Sequence, residues 1–441
     1  MVAGVAFKLM PGFIERSQRV EGENVLKRQR PVFAILSIIA VLALGLNSCT
    51  VATRSKAEEV SQGGTERVEA SPEFDVASWY SQHEEAPESH GVIIETLEPG
   101  RTFASHNADK VFNPASLIKL ATSLVALKKL GPDFRFQIRV YASGQVDPQG
   151  KLQGELSFMG GDPTFGDIGA NMMLKELNEH GIKQAAAINV SPDFCFNFSD
   201  SPEESAKRMA KALRLEETPT GVTSEPSGTP LFAFYSHPLR EILLYMNAHS
   251  SNFVAERVGA QIGGAAAVYQ FLVDDLKLPP EQLSLATVTG REQNQMTARA
   301  LLTVLRALVQ EARSKGLEPS DLLPVASEDT GTLRRRFAGT GLEGAVLGKT
   351  GTLTPEVDGG MASLAGIIFT EDAGPVAFVL LDQGSRISES RELEDQLLEE
   401  IVKSRVRPRS LGLSKRDLLQ TSSMRIERLG APTRAAAAAA R

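Results

Sequence analysis

The sequence predicts a mixed α/β fold, because segments with helical and with strand patterning alternate along a chain of 441 residues. Apolar residues recur at helical spacing in 115–130, which ends at Gly131-Pro132, a typical helix stop. Two strongly apolar runs, 362–369 and 376–381, are typical of buried strands. Hydrophobic residues make up 42% and charged residues 23%, which is typical of globular proteins and excludes a fibrous or wholly disordered chain.

The remaining elements follow from the same two periodicities, which are 3.6 residues for helices and 2 for strands. Residues 215–230, rich in Thr, Pro, Ser and Gly, are predicted to form a loop. The further predicted strands are 92–94, 136–142, 152–159 and 185–190, and the further predicted helices are 168–177, 203–213, 239–246, 253–262, 268–277, 296–313 and 389–403.

Charge and composition exclude several function classes. The net charge is -7, with basic ends around an acidic body, which gives no support to nucleic-acid binding. The six histidines show no metal-ligand spacing, so we expect no zinc or other metal site. The chain has two cysteines, Cys49 and Cys195, which excludes a disulfide framework, and Cys195 is predicted to be a lone packed thiol.

The N-terminal segment is typical of an export signal. Basic residues precede an apolar run at 31–46, which is short for a membrane span, and the run leads to Leu46-Asn47-Ser48-Cys49. This ending resembles a bacterial lipoprotein box, in which Cys49 would carry the lipid. We therefore expect an exported protein of the periplasm or cell envelope, anchored to the membrane as a lipoprotein. The alternatives are an uncleaved anchor helix and a signal that is followed by a cysteine without a lipid.

Three short motifs occur in order and together predict a serine active site. Each motif alone is weak, but the order and the helix start at the first motif raise the specificity of the set. The motifs are Ser116-Leu117-Ile118-Lys119, Ser250-Ser251-Asn252 and Lys349-Thr350-Gly351-Thr352.

The chemistry explains why these residue types are needed. A serine hydroxyl is a poor nucleophile until a base takes its proton, and Lys119, about one helical turn after Ser116, shares its face of the helix. A lysine becomes a base when burial or a second cation lowers its pKa, and Lys349 is predicted to supply that cation. Arg334–Arg336 is predicted to be a solvated basic turn rather than a substrate clamp.

The motif set resembles the D-alanyl-D-alanine carboxypeptidase/endopeptidase family of class C low-molecular-mass penicillin-binding proteins. Flanking segments carry the same resemblance, which extends over about residues 88 to 404. The flanking segments are Lys151–Leu156, Gly160–Thr164, His237–Leu243 and Gly331–Leu333. The resemblance implies a β-lactamase/transpeptidase-like antiparallel sheet flanked by helices, with a smaller α/β domain inserted between the first two motifs.

The resemblance assigns catalytic roles to four residues. Ser116 would be the acylated nucleophile, and Lys119 would be the base for acylation. Ser250 would relay a proton to the leaving amine, and Asn252 would hold the substrate amide and Lys119. The implied activity is a serine-type D-Ala-D-Ala carboxypeptidase, with possible endopeptidase activity, acting on peptidoglycan stem peptides and binding β-lactam antibiotics without any cofactor.

Substrate binding is assigned to the third motif. Lys349 would bind the C-terminal carboxylate, with Thr350 and Thr352 as hydrogen-bonding neighbours, and Gly351 would let a substrate backbone approach closely. The backbone N–H groups of Ser116 and Thr352 would form the oxyanion hole.

The predicted domains follow from these assignments. A leader at 1–48 and a disordered linker at 49–87 precede the catalytic domain, which comprises 88–134 and 236–407. The inserted domain would occupy 135–235, and a basic low-complexity tail would occupy 408–441.

One departure from the family pattern leaves two alternatives open. The family usually shows Asp-Gly-Ser-Gly where this chain has Val288-Thr289-Gly290-Arg291-Glu292. A catalytically weakened peptidoglycan-binding lipoprotein is therefore one alternative, and a β-lactamase is the other. The long spacing between the first two motifs disfavours the compact class A β-lactamase arrangement.

Overall fold

The computed structural model describes residues 73–291, 293–413 and 415–429. The predicted leader at 1–48, Cys49, and the tail after residue 429 lie outside the described residues. In chain order the helices are α1 (Val76–Gln82), α2 (Ile118–Leu130), α3 (Asp167–Glu179), α4 (Pro202–Ala212), α5 (Leu239–His249), α6 (Asn252–Ile262), α7 (Gly264–Asp274), α8 (Ala298–Ser314) and α9 (Ile387–Lys403). The strands are β1 (His90–Thr96), β2 (Thr102–His106), β3 (Val111–Phe112), β4 (Gln137–Ala142), β5 (Lys151–Met159), β6 (Gln184–Val190), β7 (Thr220–Val222), β8 (Thr229–Tyr235), β9 (Leu283–Ser284), β10 (Gln295–Thr297), β11 (Val346–Leu353), β12 (Met361–Ile368), β13 (Val376–Gln383) and β14 (Arg425–Arg428).

The central sheet has the strand order β11-β12-β13-β1-β2 and is antiparallel throughout. Every residue of β12 is buried, because helices cover both faces of the sheet. Successive strand residues point to opposite faces, so Val379 packs in a core with α2 and α8, whereas Phe378 packs in a second core with α1 and α9. The expected antiparallel sheet flanked by helices is confirmed.

A second sheet forms the smaller lobe, with the strand order β14-β8-β4-β5-β6-β7. Its β5, β6 and β7 are parallel, which requires crossover connections, and α3 and α4 supply them. Phenylalanines dominate its core, where Phe165 makes edge contacts with Phe194, Phe196 and Phe234. Cys195 lies buried in this lobe, with its thiol 3.1 Å from the Asp162 carbonyl oxygen.

The prediction of a disordered linker through residue 87 is wrong for its last part. Helix α1 lies within it, and Trp79 and Tyr80 are only 4% and 0% exposed. The Trp79 indole donates to Glu400 at 2.9 Å, and the Tyr80 hydroxyl donates to Asp382 at 2.9 Å. The segment has few apolar residues, but its aromatic side chains carry enough surface to dock the helix on the sheet.

The predicted basic low-complexity tail from residue 408 contains regular structure in the part that the structure describes. Strand β14 pairs with β8 of the smaller lobe, and Arg416 forms an ion pair with the buried Asp329. Strand β14 is mostly exposed at an edge, so its sequence lacks the apolar pattern that identifies buried strands. Short edge strand β7 likewise falls within the predicted 215–230 loop.

Among the described residues, no helix has the length and apolarity needed to cross a membrane.

Candidate active site

Ser116 lies where the chain enters the buried helix α2. It is the middle residue of a 3₁₀ turn, Ala115–Leu117, that continues directly into α2. Ala115 has a φ of +49°, a left-handed conformation that is uncommon and costly for a residue with a Cβ atom. Because Ile118–Leu127 are all buried, the helix behind the serine is held firmly in the core. The strained turn therefore places the half-buried Ser116 hydroxyl at the end of a firmly packed helix.

Lys119 lies one turn further along, where it contacts the serine directly. Its Nζ lies 3.0 Å from Ser116 Oγ, 2.7 Å from Asn252 Oδ1 and 2.5 Å from the carbonyl oxygen of Thr289. The side chain is fully buried, and burial, assisted by the positive charge of Arg291, lowers the pKa of Lys119 to about 7. A substantial fraction of the amine is therefore neutral near neutral pH, as a base for Ser116 must be.

Lys349 lies on strand β11, directly behind Ser250. Its side chain is fully buried, and its Nζ lies 2.9 Å from Ser250 Oγ and 2.5 Å from its neighbour's carbonyl oxygen at Thr350. Burial, and secondarily the charge of Lys119, lowers the pKa of Lys349 well below its usual value. Arg291 is the cation that acts with burial on Lys119, and the interaction between Lys119 and Lys349 lowers the pKa of Lys349. The contact of Lys349 with a substrate carboxylate stays a prediction, and the amine lies behind Ser250.

Ser250 and Asn252 lie between two helices, as the sequence predicts. Ser250 ends α5 in the left-handed conformation, with a φ of +53°, and Ser251 caps α6 by accepting from the Val254 N–H. Asn252 is the first residue of α6, from which its side-chain oxygen reaches Lys119. The sharp reversal between the helices therefore directs both side chains into the same cleft.

The third motif lies on β11, an edge strand of the central sheet. A Cβ atom at Gly351 would lie 2.2 Å from Ser363 Oγ and 3.0 Å from the Ala115 Cβ, so only glycine lets the Ser116 turn pack against this strand. Thr350 Oγ1 donates to Thr332 Oγ1 at 2.7 Å, and Thr352 is exposed. The close packing of turn and strand is what the predicted oxyanion hole of Ser116 and Thr352 N–H groups requires.

A cleft of about 520 Å³ opens over these groups. Its cations are arginines, and its lining includes no carboxylate. The lining residues are Ser116, Ser250, Asn252, Thr332, Arg335, Arg336, Thr350, Thr352 and Arg391. Three of the four residues assigned catalytic roles line the cleft. The fourth, Lys119, lies directly beneath Ser116 and Asn252, so the structure brings all four together.

The segment that departs from the family pattern forms part of the site. Buried Asn294 accepts hydrogen bonds from the backbone N–H groups of Ala286 and Thr287, which fixes the shape of the loop. The Thr122 hydroxyl of α2 donates to the Val288 carbonyl oxygen at 3.1 Å, which holds the loop against that helix. The Thr289 carbonyl oxygen contacts Lys119 Nζ and accepts from Ser116 Oγ at 3.3 Å. Because a backbone carbonyl makes this contact, the loop can provide it even though its side chains differ from the family pattern. Glu292 lies outside the described residues.

Gly290 is expected to be essential for this arrangement. It has a φ of +83°, and a Cβ atom there would lie 2.1 Å from the Ala115 carbonyl oxygen, beside the nucleophile. Gly290→Ala should lower the free energy of unfolding by about 1–3 kcal/mol and slow acylation by penicillin roughly 10- to 100-fold, measured by urea unfolding and mass spectrometry. Gly316→Ala is the matched control, because Gly316 has a φ of +72° but open space around it. Equal effects of the two substitutions would contradict the expected displacement of the Ser116 turn.

Two site residues were missed from the sequence: Thr332 and Arg391. Arg391, on α9, donates from Nη2 to Thr352 Oγ1 at 2.6 Å. Arg336, predicted to be solvated, is instead 8% exposed and is paired with Glu394 and Asp395. Within the described ranges, no group of three or more His, Cys, Asp or Glu side chains could hold a metal ion.

Several solved structures have a similar fold at low sequence identity. Bd3459, a predatory peptidoglycan endopeptidase from Bdellovibrio bacteriovorus, matches with a TM-score of 0.65 and 18% identity, over 77% of this chain and 98% of that one. Penicillin-binding protein 4 (dacB) from Haemophilus influenzae matches with a TM-score of 0.56 and 18% identity, over 74% and 100%. A further structure, penicillin G-acylated Bd3459 in complex with an immunity protein, matches with a TM-score of 0.63 and 19% identity, over 77% and 99%.

A family model supplies the closer assignment. The model of the D-Ala-D-Ala carboxypeptidase 3 (S13) family matches residues 74–196 and 194–402. These ranges include all three motifs and every strand of the described structure except β14. With Ser116 and its buried lysine at hydrogen-bonding distance inside the matched region, the chain belongs to the D-Ala-D-Ala carboxypeptidase 3 (S13) family of peptidases.

Proposed function

We propose that this protein is a serine-type D-Ala-D-Ala carboxypeptidase that removes the terminal D-Ala from peptidoglycan stem peptides. The observation that carries the proposal is the 3.0 Å contact between Ser116 Oγ and Lys119 Nζ, together with a pKa of about 7 for Lys119. A neutral amine at this distance can accept the serine proton as the hydroxyl attacks.

The acylation step follows from the surrounding contacts. Ser116 Oγ bonds to the carbonyl carbon of the penultimate D-Ala, while its proton passes to Lys119 Nζ. The developing oxyanion is stabilised by the N–H groups of Ser116 and Thr352. Lys349 Nζ donates to Ser250 Oγ at 2.9 Å, which leaves the Ser250 proton free to transfer to the leaving nitrogen as the C–N bond breaks. The proton that Lys119 took from Ser116 then passes to Ser250, so Lys119 is neutral again when the acyl-enzyme has formed.

Deacylation uses the same groups in reverse. A water molecule attacks the acyl carbon, gives its proton to Lys119, and Ser116 leaves with a proton restored to its oxygen. The same first step would open a β-lactam ring and leave the antibiotic bound to Ser116. The penicillin G-acylated structure of Bd3459, a protein with a similar fold, supports this part of the proposal.

Cleavage of peptide cross-links is a second candidate activity. It breaks the same kind of D-Ala amide, and the structurally similar Bd3459 is described as a peptidoglycan endopeptidase.

We further propose that the protein acts outside the cytoplasm as a lipoprotein anchored through Cys49. That proposal rests on the N-terminal sequence, in which basic residues and an apolar run precede the cysteine.

Product analysis tests the proposed activity. The full chain is incubated separately with pentapeptide muropeptides and with cross-linked dimers, and the products are identified by mass spectrometry. We expect the pentapeptide to lose one alanine, with Ser116→Ala as the inactive control. Cleavage of dimers alone would replace the carboxypeptidase with an endopeptidase, and rapid turnover of a chromogenic cephalosporin would indicate a β-lactamase. Folded wild-type protein that changes neither substrate and binds no penicillin would exclude the proposal.

A further inference from the structure

We infer that Arg391, with Arg335 beside it, binds the carboxylate of the leaving amino acid and so sets the preference for a free peptide C-terminus. The inference rests on the proposed function, because it names the group that the cleft recognises in that substrate. It replaces the role that the sequence assigned to Lys349.

Lys349 cannot make this contact in the observed arrangement. Its side chain is fully buried, and its ammonium already donates to Ser250 Oγ and to the Thr350 carbonyl oxygen. Its amine contacts Ser250, which lines the cleft, and Lys349 itself is not among the lining residues. A carboxylate in the cleft therefore needs another partner.

The three arginines of the cleft differ in their existing partners. Arg336 is satisfied by Glu394 and Asp395 and also donates to the Arg391 carbonyl oxygen at 3.2 Å. Within the part of the chain that the structure describes, neither Arg335 nor Arg391 forms an ion pair with an Asp or Glu side chain. Both therefore bring uncompensated positive charge to a cleft whose lining has no carboxylate.

Arg391 is the better placed of the two. It lies in the second turn of α9, and its Nη2 donates to Thr352 Oγ1 at 2.6 Å. Thr352 is the residue whose N–H is assigned to the oxyanion hole, so the guanidinium lies beside the site of bond cleavage. A guanidinium has five N–H donors in a planar fork, so several remain for a carboxylate after the contact with Thr352. Thr350 and Thr332, joined at 2.7 Å, line the same part of the cleft.

This arrangement would make the enzyme select substrates by the terminal residue that is released. The last residue of a D-Ala-D-Ala peptide has its carboxylate one carbon away from the scissile nitrogen. A guanidinium near Thr352 can bind that group, and neutralising the carboxylate as an amide removes a charge-assisted hydrogen bond. Arg391 is thus a substrate-binding residue that favours peptides with a free terminal carboxylate.

The test compares two substrates that differ only in this charge. We would measure kcat/KM for an acetylated peptide ending in D-Ala-D-Ala and for its C-terminal amide, using the full chain. The acid-to-amide ratio should fall roughly 10- to 100-fold in Arg391→Gln and should be partly restored in Arg391→Lys. Arg407→Gln is the matched control, because Arg407 is exposed and pairs with Asp372 in the turn between β12 and β13.

A ratio identifies the role of Arg391 because a merely structural defect lowers both rates together. A second pair, benzylpenicillin and its methyl ester, gives the same comparison for acylation alone by intact-mass measurement. If Arg391→Gln keeps the wild-type ratio in both pairs while the wild type remains active, this inference is wrong and the proposed function stands. If the wild type neither hydrolyses the peptide nor binds penicillin, the proposed function fails and this inference fails with it.

Discussion

Ser116→Ala is expected to abolish covalent labelling by penicillin and to reduce peptide turnover by about 10⁴- to 10⁶-fold. The substitution removes the oxygen that attacks the carbonyl carbon, and no other hydroxyl contacts Lys119 Nζ among the described residues. Intact-mass spectrometry after incubation with penicillin measures labelling directly. A peptide digest then shows whether the adduct in the wild type is on Ser116.

The folded state should tolerate this substitution. Ser116 is half-buried, and Lys119 keeps its contacts with Asn252 and Thr289 after the hydroxyl is removed. We expect Tm to change by no more than the exposed control Ser314→Ala changes it, as measured by circular dichroism. Undiminished labelling of Ser116→Ala would show that the nucleophile is a different residue, and Ser250 would be the first to examine.

Lys119→Met is expected to slow acylation by about 10²- to 10⁴-fold, because it removes the base and leaves the nucleophile in place. Methionine has a similar volume and is apolar, so it suits a fully buried position. The rate of penicillin acylation, followed in time by mass spectrometry, measures the effect. Lys128→Met is the matched control, because Lys128 lies on the same helix with a side chain that is 51% exposed.

The pH profile distinguishes a base from a structural lysine. The reactive form of Lys119 is the neutral amine, and the pKa of Lys119 is about 7. Acylation by the wild type should therefore rise with pH through about 7 and level off above it, as the ammonium loses its proton. This limb should disappear in Lys119→Met and persist in Lys128→Met. A limb near pH 7 that survives in Lys119→Met would assign the titration to another group.

The catalytic residues could be predicted because local spacing encodes them. Ser116 and Lys119 share one helix face, and the reversal at Ser250 follows from two helices that meet without a linker. The motifs could not show how deeply each side chain is buried. Lys349 looks like a surface cation in sequence, but the packing of β11 buries it.

Three other features were invisible in the sequence for different physical reasons. The Thr289 carbonyl acts through the backbone, which no side-chain pattern records. Arg391 joins the cleft only because α9 packs against the sheet, a contact between segments distant in the chain. Trp79 and Tyr80 dock α1 on the sheet, but the sequence around them has few apolar residues. Composition alone therefore predicted a solvated segment.

The pairing of β14 with β8 has a consequence for the order of folding. Arg425 lies opposite Tyr235, so the strand that completes the smaller sheet is synthesised long after the rest of that sheet. Until then β8 has an open edge, and an edge of this kind can recruit a strand from another molecule. A fragment of residues 135–235 would retain that open edge permanently, whereas a chain that includes residues 425–428 closes the edge itself.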